Sequence, residues 1–200
     1  MTDLFSEKAR DWDKNDIPRQ ISAAVGATLL EQVPLNKEMR VMDFGAGTGL
    51  ISSQVAPRVE SILAVDISRA MLDRLMAKPE LQGKVSLCCQ DIIATPLNKK
   101  FDLIMSAMAL HHVEDTDALL RRFAEHLHPG AKLALADLDK EDGDFHPPDT
   151  QGVYHAGFER QALQDSLERN GFTDVQFYTA HTVVKEGRDY PIFLLTANKT

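Results

Sequence analysis

Apolar residues along the chain fall into two alternating patterns. Short runs that are mostly apolar predict buried strands at residues 40–44, 61–67, 84–89, 101–107 and 132–138. Between these runs, apolar residues recur every three or four positions and predict amphipathic helices over residues 16–33, 49–56, 68–78, 116–127 and 159–170. Strands that alternate with helices in this way are typical of an α/β fold with a parallel sheet.

Three further segments complete the predicted organisation. Residues 174–184 and 191–198 read as two strands joined by a turn at Gly187, so we expect them to pair antiparallel. Residues 1–35 are interpreted as an N-terminal helical cap, and residues 139–157 as a lid or loop. The length of 200 residues fits a single domain spanning residues 1–200.

A glycine-rich turn between the first strand and the following helix is the strongest chemical signal. It reads Asp43-Phe44-Gly45-Ala46-Gly47-Thr48-Gly49. Glycines at this place permit a tight turn and let a ligand approach the backbone N–H groups. The third glycine comes one residue earlier than in the dinucleotide fingerprint. The Asp43 carboxylate would repel a diphosphate and attract a cation, so the turn favours a cationic ligand.

Two more carboxylates follow the next two predicted strands. Asp66 lies about 20 residues beyond the glycine turn, where an acidic side chain can accept hydrogen bonds from both ribose hydroxyls. Asp91 follows the third strand and can accept a hydrogen bond from an adenine amino group. Taken alone, Asp66 reads equally well as a helix cap and Asp91 as a loop carboxylate. Together with the glycine turn, they favour a nucleoside site.

These residues resemble the motifs of the class I S-adenosylmethionine-dependent methyltransferases, and most closely their small-molecule branch of ubiquinone/menaquinone-type enzymes. The similarity runs from Val41 to Asp139 and includes the His-Pro-Gly sequence at residues 128–130. The resemblance implies a Rossmann-like, doubly wound sheet of seven strands in the order 3-2-1-4-5-7-6, with strand 7 antiparallel. It also implies S-adenosyl-L-methionine as the cofactor.

The resemblance further implies which residues contact that cofactor. Asp43 would serve its ammonium group, Asp66 its ribose and Asp91 its adenine amino group, while Ile67 and Ile92 would sandwich the adenine ring. The complete set of expected cofactor residues is Asp43, Gly45, Gly47, Gly49, Asp66, Ile67, Asp91, Ile92 and Ala107.

Histidines mark the candidate acceptor end of the site. His111 and His112 follow the fourth strand, and a neutral imidazole there is able to take a proton from an acceptor. The alternative is that one caps a loop and the other faces solvent. Candidates for the substrate pocket are Trp12, His146, Tyr154 and His155, with Phe5 as a further candidate to close over the cofactor. The acidic residues near His146 and His155 are irregularly spaced, so no metal is expected.

Charge and composition narrow the classes of substrate. The chain has 22 Lys and Arg against 30 Asp and Glu, a net charge of −8 that argues against nucleic acid and anionic membranes. After the fourth strand it lacks the Asn/Asp-Pro-Pro-aromatic motif of base methyltransferases. The two cysteines are adjacent, and no signal core or membrane-spanning run is evident. We therefore expect a cytoplasmic enzyme with a small-molecule substrate and no membrane insertion.

Two other functions are consistent with the same fold class. A nicotinamide-dependent oxidoreductase would share the ribose carboxylate, but none of the three tyrosines is followed by lysine in a Tyr-x-x-x-Lys pair. A non-catalytic S-adenosylmethionine-binding protein would keep all three carboxylates. The sequence leaves open the acceptor, its reacting atom and the oligomeric state.

Overall fold

Helices and strands alternate along most of the chain in the computed structural model, which describes residue 3 and residues 5–200. The helices are α1 Asp16–Gln32, α2 Leu50–Val55, α3 Arg69–Met76, α4 Thr116–His126 and α5 Arg160–Arg169. The strands are β1 Arg40–Phe44, β2 Ser61–Asp66, β3 Val85–Cys89, β4 Phe101–Ala107, β5 Leu127–Leu138, β6 Phe172–Lys185 and β7 Arg188–Lys199.

The seven strands form a sheet in the order β3-β2-β1-β4-β5-β7-β6, which confirms the expected topology. Strands β1 to β5 run parallel to one another, and β7 runs antiparallel to both β5 and β6. The order reverses direction between β1 and β4. In open α/β sheets, ligands bind in the crevice at such a switch point.

Helices cover both faces of the sheet because alternate residues of each strand point to opposite sides. In β1, Val41 joins a core cluster that includes Leu29 of α1 and Leu72 of α3. The next residue, Met42, joins a second cluster that includes Phe123 of α4. Within the described part of the chain, no helix combines the length and apolar character needed to cross a membrane.

Several element boundaries differ from the predicted ones. Strand β5 was expected at residues 132–138 but begins at Leu127, because the chain stays paired with β4 through a bulge that includes Pro129 and Gly130. The hairpin strands are also longer than expected, since pairing continues to Lys185 opposite Arg188 at the turn. Tertiary pairing therefore extends strands beyond their apolar runs.

The N-terminal segment, residue 3 and residues 5–14, is tied by polar contacts to the glycine turn and to the chain just after α3. It contains two short 3-10 helices, Lys8–Arg10 and Trp12–Lys14. The Asp13 carboxylate accepts a hydrogen bond from the Thr48 hydroxyl at 2.5 Å and pairs with the Lys78 ammonium at 2.8 Å. Residues 1, 2 and 4 of the predicted cap lie outside the described residues.

Loop 139–157 is held against the β6–β7 hairpin. The Glu141 carboxylate accepts hydrogen bonds from three backbone N–H groups, at residues 143, 144 and 145. The guanidinium of Arg188 pairs with the carboxylates of Asp142 and Asp144. These contacts hold the part of the loop that carries Phe145 and His146.

Gly49 offers a test of the packing between the glycine turn and the core. It has φ +80°, and an added Cβ would lie 2.7 Å from Cγ of Leu75. Gly83 is a matched control, with φ +76° and no atom within 4 Å of the added Cβ. Both alanine variants lose about 1–2 kcal/mol to the left-handed backbone. We expect Gly49→Ala to lose a further ~1–3 kcal/mol to overpacking.

Urea denaturation of the two variants measures this difference. Equal losses of unfolding free energy in Gly49→Ala and Gly83→Ala would contradict the packing role assigned to Gly49.

Candidate functional site

A cavity of about 550 Å³ opens at the switch point between β1 and β4. Its walls come from the chain segments that follow the carboxyl ends of β1, β2, β3 and β4, together with the N-terminal segment and loop 139–157. Its volume lies within the range of small-molecule and cofactor sites.

The glycine turn leaves an open cradle along one wall. Gly47 has φ +54°, and no atom lies within 4 Å of the position that its Cβ would take. At Gly45, by contrast, an added Cβ would lie 2.4 Å from Cβ of Ala109. Both residues line the cavity, whereas Gly49 does not, because it packs towards Leu75 and Leu81. The expected ligand contact at Gly49 is therefore replaced by a packing role.

Asp66 ties the end of β2 to the glycine turn. Its Oδ2 accepts a hydrogen bond from the Gly47 N–H at 2.8 Å, and its Oδ1 accepts one from the Ser68 N–H at 2.8 Å. Burial raises the pKa of Asp66, and these backbone hydrogen bonds partly oppose that rise. An ionised carboxylate has about four acceptor positions. Asp66 therefore keeps acceptor capacity for a ligand in the cavity.

Asp43 is a nearly inaccessible carboxylate, 2% exposed, at the base of the cavity. The Ser52 hydroxyl donates to its Oδ2 at 2.6 Å. Burial raises the pKa of Asp43 to about 7, the hydrogen bond from Ser52 lowers it, and the charge of Asp66 raises it. Because an opposite charge nearby favours the ionised form, a cation bound at this point would lower the pKa.

The segment after β3 supplies a third carboxylate and a hydrophobic side chain. Oδ1 of Asp91 accepts hydrogen bonds from the N–H groups of Ile93 at 2.8 Å and Ala94 at 3.3 Å, and this turn directs Ile93 to the cavity. The expectation for Ile92 was wrong, since its side chain is fully buried in the core cluster of α4. Across the cavity, Ile67 lies at the rim and is 58% exposed.

Three hydrogen-bonded side chains lead from the core to the other end of the cavity. Nδ1 of His111 lies 2.7 Å from Oδ1 of Asp137, and Nε2 of His111 lies 3.2 Å from Nε2 of His146. Both histidines line the cavity, while Asp137 is fully buried on β5. Sequence reasoning missed Asp137, although an acidic residue inside an apolar strand was a signal that could have been followed.

His112 also lines the cavity, beside His111. Its Nδ1 donates to the Gly152 carbonyl at 2.6 Å, and its ring lies 4.1 Å from that of His111 between centroids. Burial, followed by the proximity of His111, lowers the pKa of His112 to about 4. His112 is therefore neutral at physiological pH.

Aromatic side chains close the acceptor end. Phe5 and Trp12 of the N-terminal segment line it, together with Phe145 and Tyr154 of loop 139–157. Phe145 was not among the residues predicted from the sequence to line the pocket. The Phe5 ring packs edge-on against His112 with centroids 5.2 Å apart.

His155 was expected in the pocket but does not line the cavity. Its Nε2 instead lies 2.9 Å from the Val113 carbonyl oxygen and donates to it. The backbone N–H groups of Tyr154 and His155 both approach the His111 carbonyl, at 2.9 and 3.3 Å. Of these two neighbours, only Tyr154 lines the cavity. Ala107, at the end of β4, lines the cavity as expected.

The charged side chains on the cavity wall are all acidic. Among the described residues that line it, the ionisable carboxylates are Asp43, Asp66, Asp91, Glu114 and Asp115, with no lysine or arginine. The described residues also contain no group of three His, Cys, Asp or Glu side chains arranged to hold a metal ion. The wall is suited to a cationic ligand and unfavourable for a diphosphate.

Comparisons with known proteins agree with this geometry. A family model described as a methyltransferase domain matches residues 16–189. An uncharacterized methyltransferase from Schizosaccharomyces pombe is 30% identical over 155 residues, which cover 69% of this chain and 55% of that protein. One from Bacillus mycoides is 26% identical over 188 residues, covering 84% of this chain and 88% of the relative.

Solved structures share the fold at low sequence identity. The N-methyltransferase NodS from Bradyrhizobium japonicum, in complex with S-adenosylhomocysteine, has a TM-score of 0.74 at 15% identity, with 99% of each chain covered. A Haemonchus contortus phosphoethanolamine N-methyltransferase has a TM-score of 0.71 at 16% identity, covering 87% of this chain and 52% of that one. The family model and the strand order lead to one conclusion: this chain belongs to the class I S-adenosylmethionine-dependent methyltransferases.

Proposed function

We propose that this methyltransferase transfers the methyl group of S-adenosylmethionine to a small organic molecule by in-line displacement. The observation that carries the proposal is one continuous cavity of about 550 Å³, which joins the carboxylates at the strand ends to an aromatic end beside His111 and His146. Cofactor and acceptor would meet inside this cavity, shielded by the N-terminal segment.

Residues at the strand ends would hold the cofactor. Asp43 would compensate its ammonium group, Asp66 would accept hydrogen bonds from the ribose, and Asp91 would accept one from the adenine amino group. Ile67 and Ile93 would pack on the adenine ring, with Ile93 in place of Ile92. Each group matches a part of the cofactor in charge or polarity, which supports this assignment.

The wall chemistry favours an uncharged or cationic acceptor. Carboxylates repel phosphate groups, and nucleic-acid binding needs basic side chains that the described wall does not offer. Phosphoethanolamine, named for the Haemonchus enzyme, carries such a phosphate, so we do not extend that substrate to this chain. Phe5, Trp12, Phe145 and Tyr154 support an acceptor with an apolar or aromatic body.

The enzyme's own contribution is positioning and exclusion of water. The bound cofactor supplies a methyl group already activated by a positively charged sulfur. Holding two reactants in near-attack geometry contributes about 7–11 kcal/mol to catalysis. Phe5 and Trp12 cover the cavity, and the Asp13 contacts to Thr48 and Lys78 hold them there. A closed, water-poor site also strengthens the interaction of fixed dipoles with the reacting groups.

Calorimetry tests the cofactor assignment of Asp66. We expect S-adenosylmethionine to bind and NAD to bind at least about tenfold more weakly, because the acidic wall repels a diphosphate. Asp66→Asn should lose about tenfold or more in affinity for S-adenosylmethionine, since one carboxylate oxygen is replaced by an amide donor. Asp165→Asn, on the exposed side of α5, is the matched control and should bind normally. Tight NAD binding, or full affinity in Asp66→Asn, would refute the assignment.

The raised pKa of Asp43 predicts a pH-dependent affinity. A cationic ligand binds the ionised carboxylate, so affinity for S-adenosylmethionine should fall as pH drops below the Asp43 pKa of about 7. Asp43→Asn should bind more weakly and show no such dependence near that pH. Titration calorimetry at several pH values measures both, and an unchanged pH dependence in Asp43→Asn would contradict the role of Asp43.

The stability of the ligand-free protein should follow the opposite trend. The folded-state pKa of Asp43 is about 7, above its ordinary value of 3.8, so its contribution is fully present below pH 3.8 and is lost as pH rises through 7. The protein should therefore lose stability relative to Asp43→Asn across this window, by at most about 1.4 kcal/mol per pH unit. Urea denaturation of both proteins across the window measures this. A parallel pH dependence in the two proteins would show that Asp43 does not titrate there.

A further inference from the structure

The side chains of Asp137, His111 and His146 form a hydrogen-bonded series, in which each donor and acceptor can be assigned. The Asp137 carboxylate faces three N–H groups: the His111 ring at 2.7 Å, the His111 backbone at 3.2 Å and the Leu138 backbone at 2.8 Å. The two backbone contacts use the Asp137 carboxylate as a hydrogen-bond acceptor, and its contact with the His111 ring takes the same direction. Nδ1 of His111 therefore carries the proton that binds Asp137.

This assignment fixes which ring nitrogens of His111 and His146 carry protons when both rings are neutral. Nε2 of His111 is unprotonated and accepts, so Nε2 of His146 donates to it across 3.2 Å. The other ring nitrogen of His146, Nδ1, is then unprotonated and ends the hydrogen-bonded series. His146 itself lines the cavity, together with His111.

A proton that arrives at His146 can be passed inward. Uptake at Nδ1 of His146 lets its Nε2 proton move to His111, so the positive charge comes to rest 2.7 Å from the Asp137 carboxylate. Burial, and then the proximity of His111, lower the pKa of His146 to about 4, so its ring is neutral at physiological pH. Three other groups act on the pKa of His146: Lys8 lowers it, whereas Asp137 and Glu141 raise it.

His112 lacks this support. Its Nδ1 is bound to the Gly152 carbonyl, and no hydrogen bond joins it to a carboxylate in the described part of the chain. Protonated His112 would be buried beside His111 without a directly bonded counter-charge, which is unfavourable. Of the neighbouring histidines, His111 and His146 form the pair that is backed by an anion.

We propose that the His111–His146 pair, positioned by Asp137, removes the proton from a hydroxyl group of the methyl acceptor. The acceptor O–H bond breaks and its proton goes to Nδ1 of His146. The oxygen electron pair forms the new O–C bond, while the C–S bond breaks and its electron pair stays on sulfur. The pair later releases the proton to solvent. This inference rests on the proposed function and names the acceptor class for that same cavity.

A hydroxyl on an aromatic ring fits this machinery best. A neutral amine attacks with its own lone pair and needs no base for that step, and a thiol is already a few per cent ionised near neutral pH. A phenol, with a pKa of about 10, is almost fully protonated near neutral pH, yet is far more acidic than an aliphatic alcohol. The ring would pack among the aromatic walls of Phe5, Trp12, Phe145 and Tyr154.

4-Nitrophenol tests the proton transfer without turnover, because its phenolate absorbs visible light. We would bind it to the protein loaded with sinefungin, an unreactive cationic analogue of S-adenosylmethionine, and titrate its absorbance against pH. We expect the pKa of the bound probe to lie about one unit or more below its solution value. His146→Gln and Asp137→Asn should each remove that shift. If Asp137→Asn fails to fold, His146→Gln still tests the inference, because it leaves the buried Asp137–His111 contact in place.

His181→Gln, which changes a histidine on β6 outside the cavity wall, is the matched control and should keep the shift. A bound probe that stays protonated in the unsubstituted protein, or a probe that does not bind, would overturn the inference. A shift that persists in both His146→Gln and Asp137→Asn would overturn it as well. Calorimetry with S-adenosylmethionine separates a failure of the proposed function from a failure of this proton transfer. If the unsubstituted protein does not bind the cofactor, the proposed function is contradicted. If it binds the cofactor but the probe is not ionised, only the proton transfer is contradicted.

Discussion

The burial of Asp43 without an opposite charge among the described residues dominates the electrostatics at the β1 end of the cavity. Removing a charge from water is costly unless an opposite charge or hydrogen bonds compensate it. Asp43 receives one side-chain hydrogen bond, from Ser52, and its pKa is raised to about 7. Asp137, equally buried, faces three N–H groups. The two carboxylates therefore differ in their surroundings: Asp43 has one side-chain hydrogen-bond donor, whereas the N–H groups around Asp137 satisfy its carboxylate and fix the ring of His111.

Local sequence signals were sufficient to predict the sheet and the edge of it at which three carboxylates meet. Apolar runs separated by amphipathic segments specify buried parallel strands, and parallel strands end at the same edge of a sheet. Asp43, Asp66 and Asp91 follow three such strands, so topology alone brings them to one crevice. The glycine turn is equally local, because its left-handed residues are recognisable from the sequence.

The hydrogen-bond partners at the acceptor end could not be predicted in the same way, because these contacts join distant parts of the chain. Asp137 lies 26 residues from His111, and Asp13 lies 35 residues from Thr48. The sequence within one strand or loop does not indicate which distant residue will be its hydrogen-bond partner. The error at Ile92 has a smaller cause, since the turn built on Asp91 shifts by one residue which isoleucine faces the cavity. Loop conformations depend on such tertiary contacts more than strands do.

The place of β7 has a consequence for biosynthesis. Arg188–Lys199 is the last strand of the sheet in the sequence, yet it lies between β5 and β6. Until these residues have left the ribosome, β5 lacks its outer neighbour and β6 has no partner strand, so two unpaired backbone edges are exposed to other nascent chains. Phe193 and Leu195 are fully buried in the finished sheet. Premature termination before β7 would therefore remove an interior strand and leave a fragment prone to aggregation.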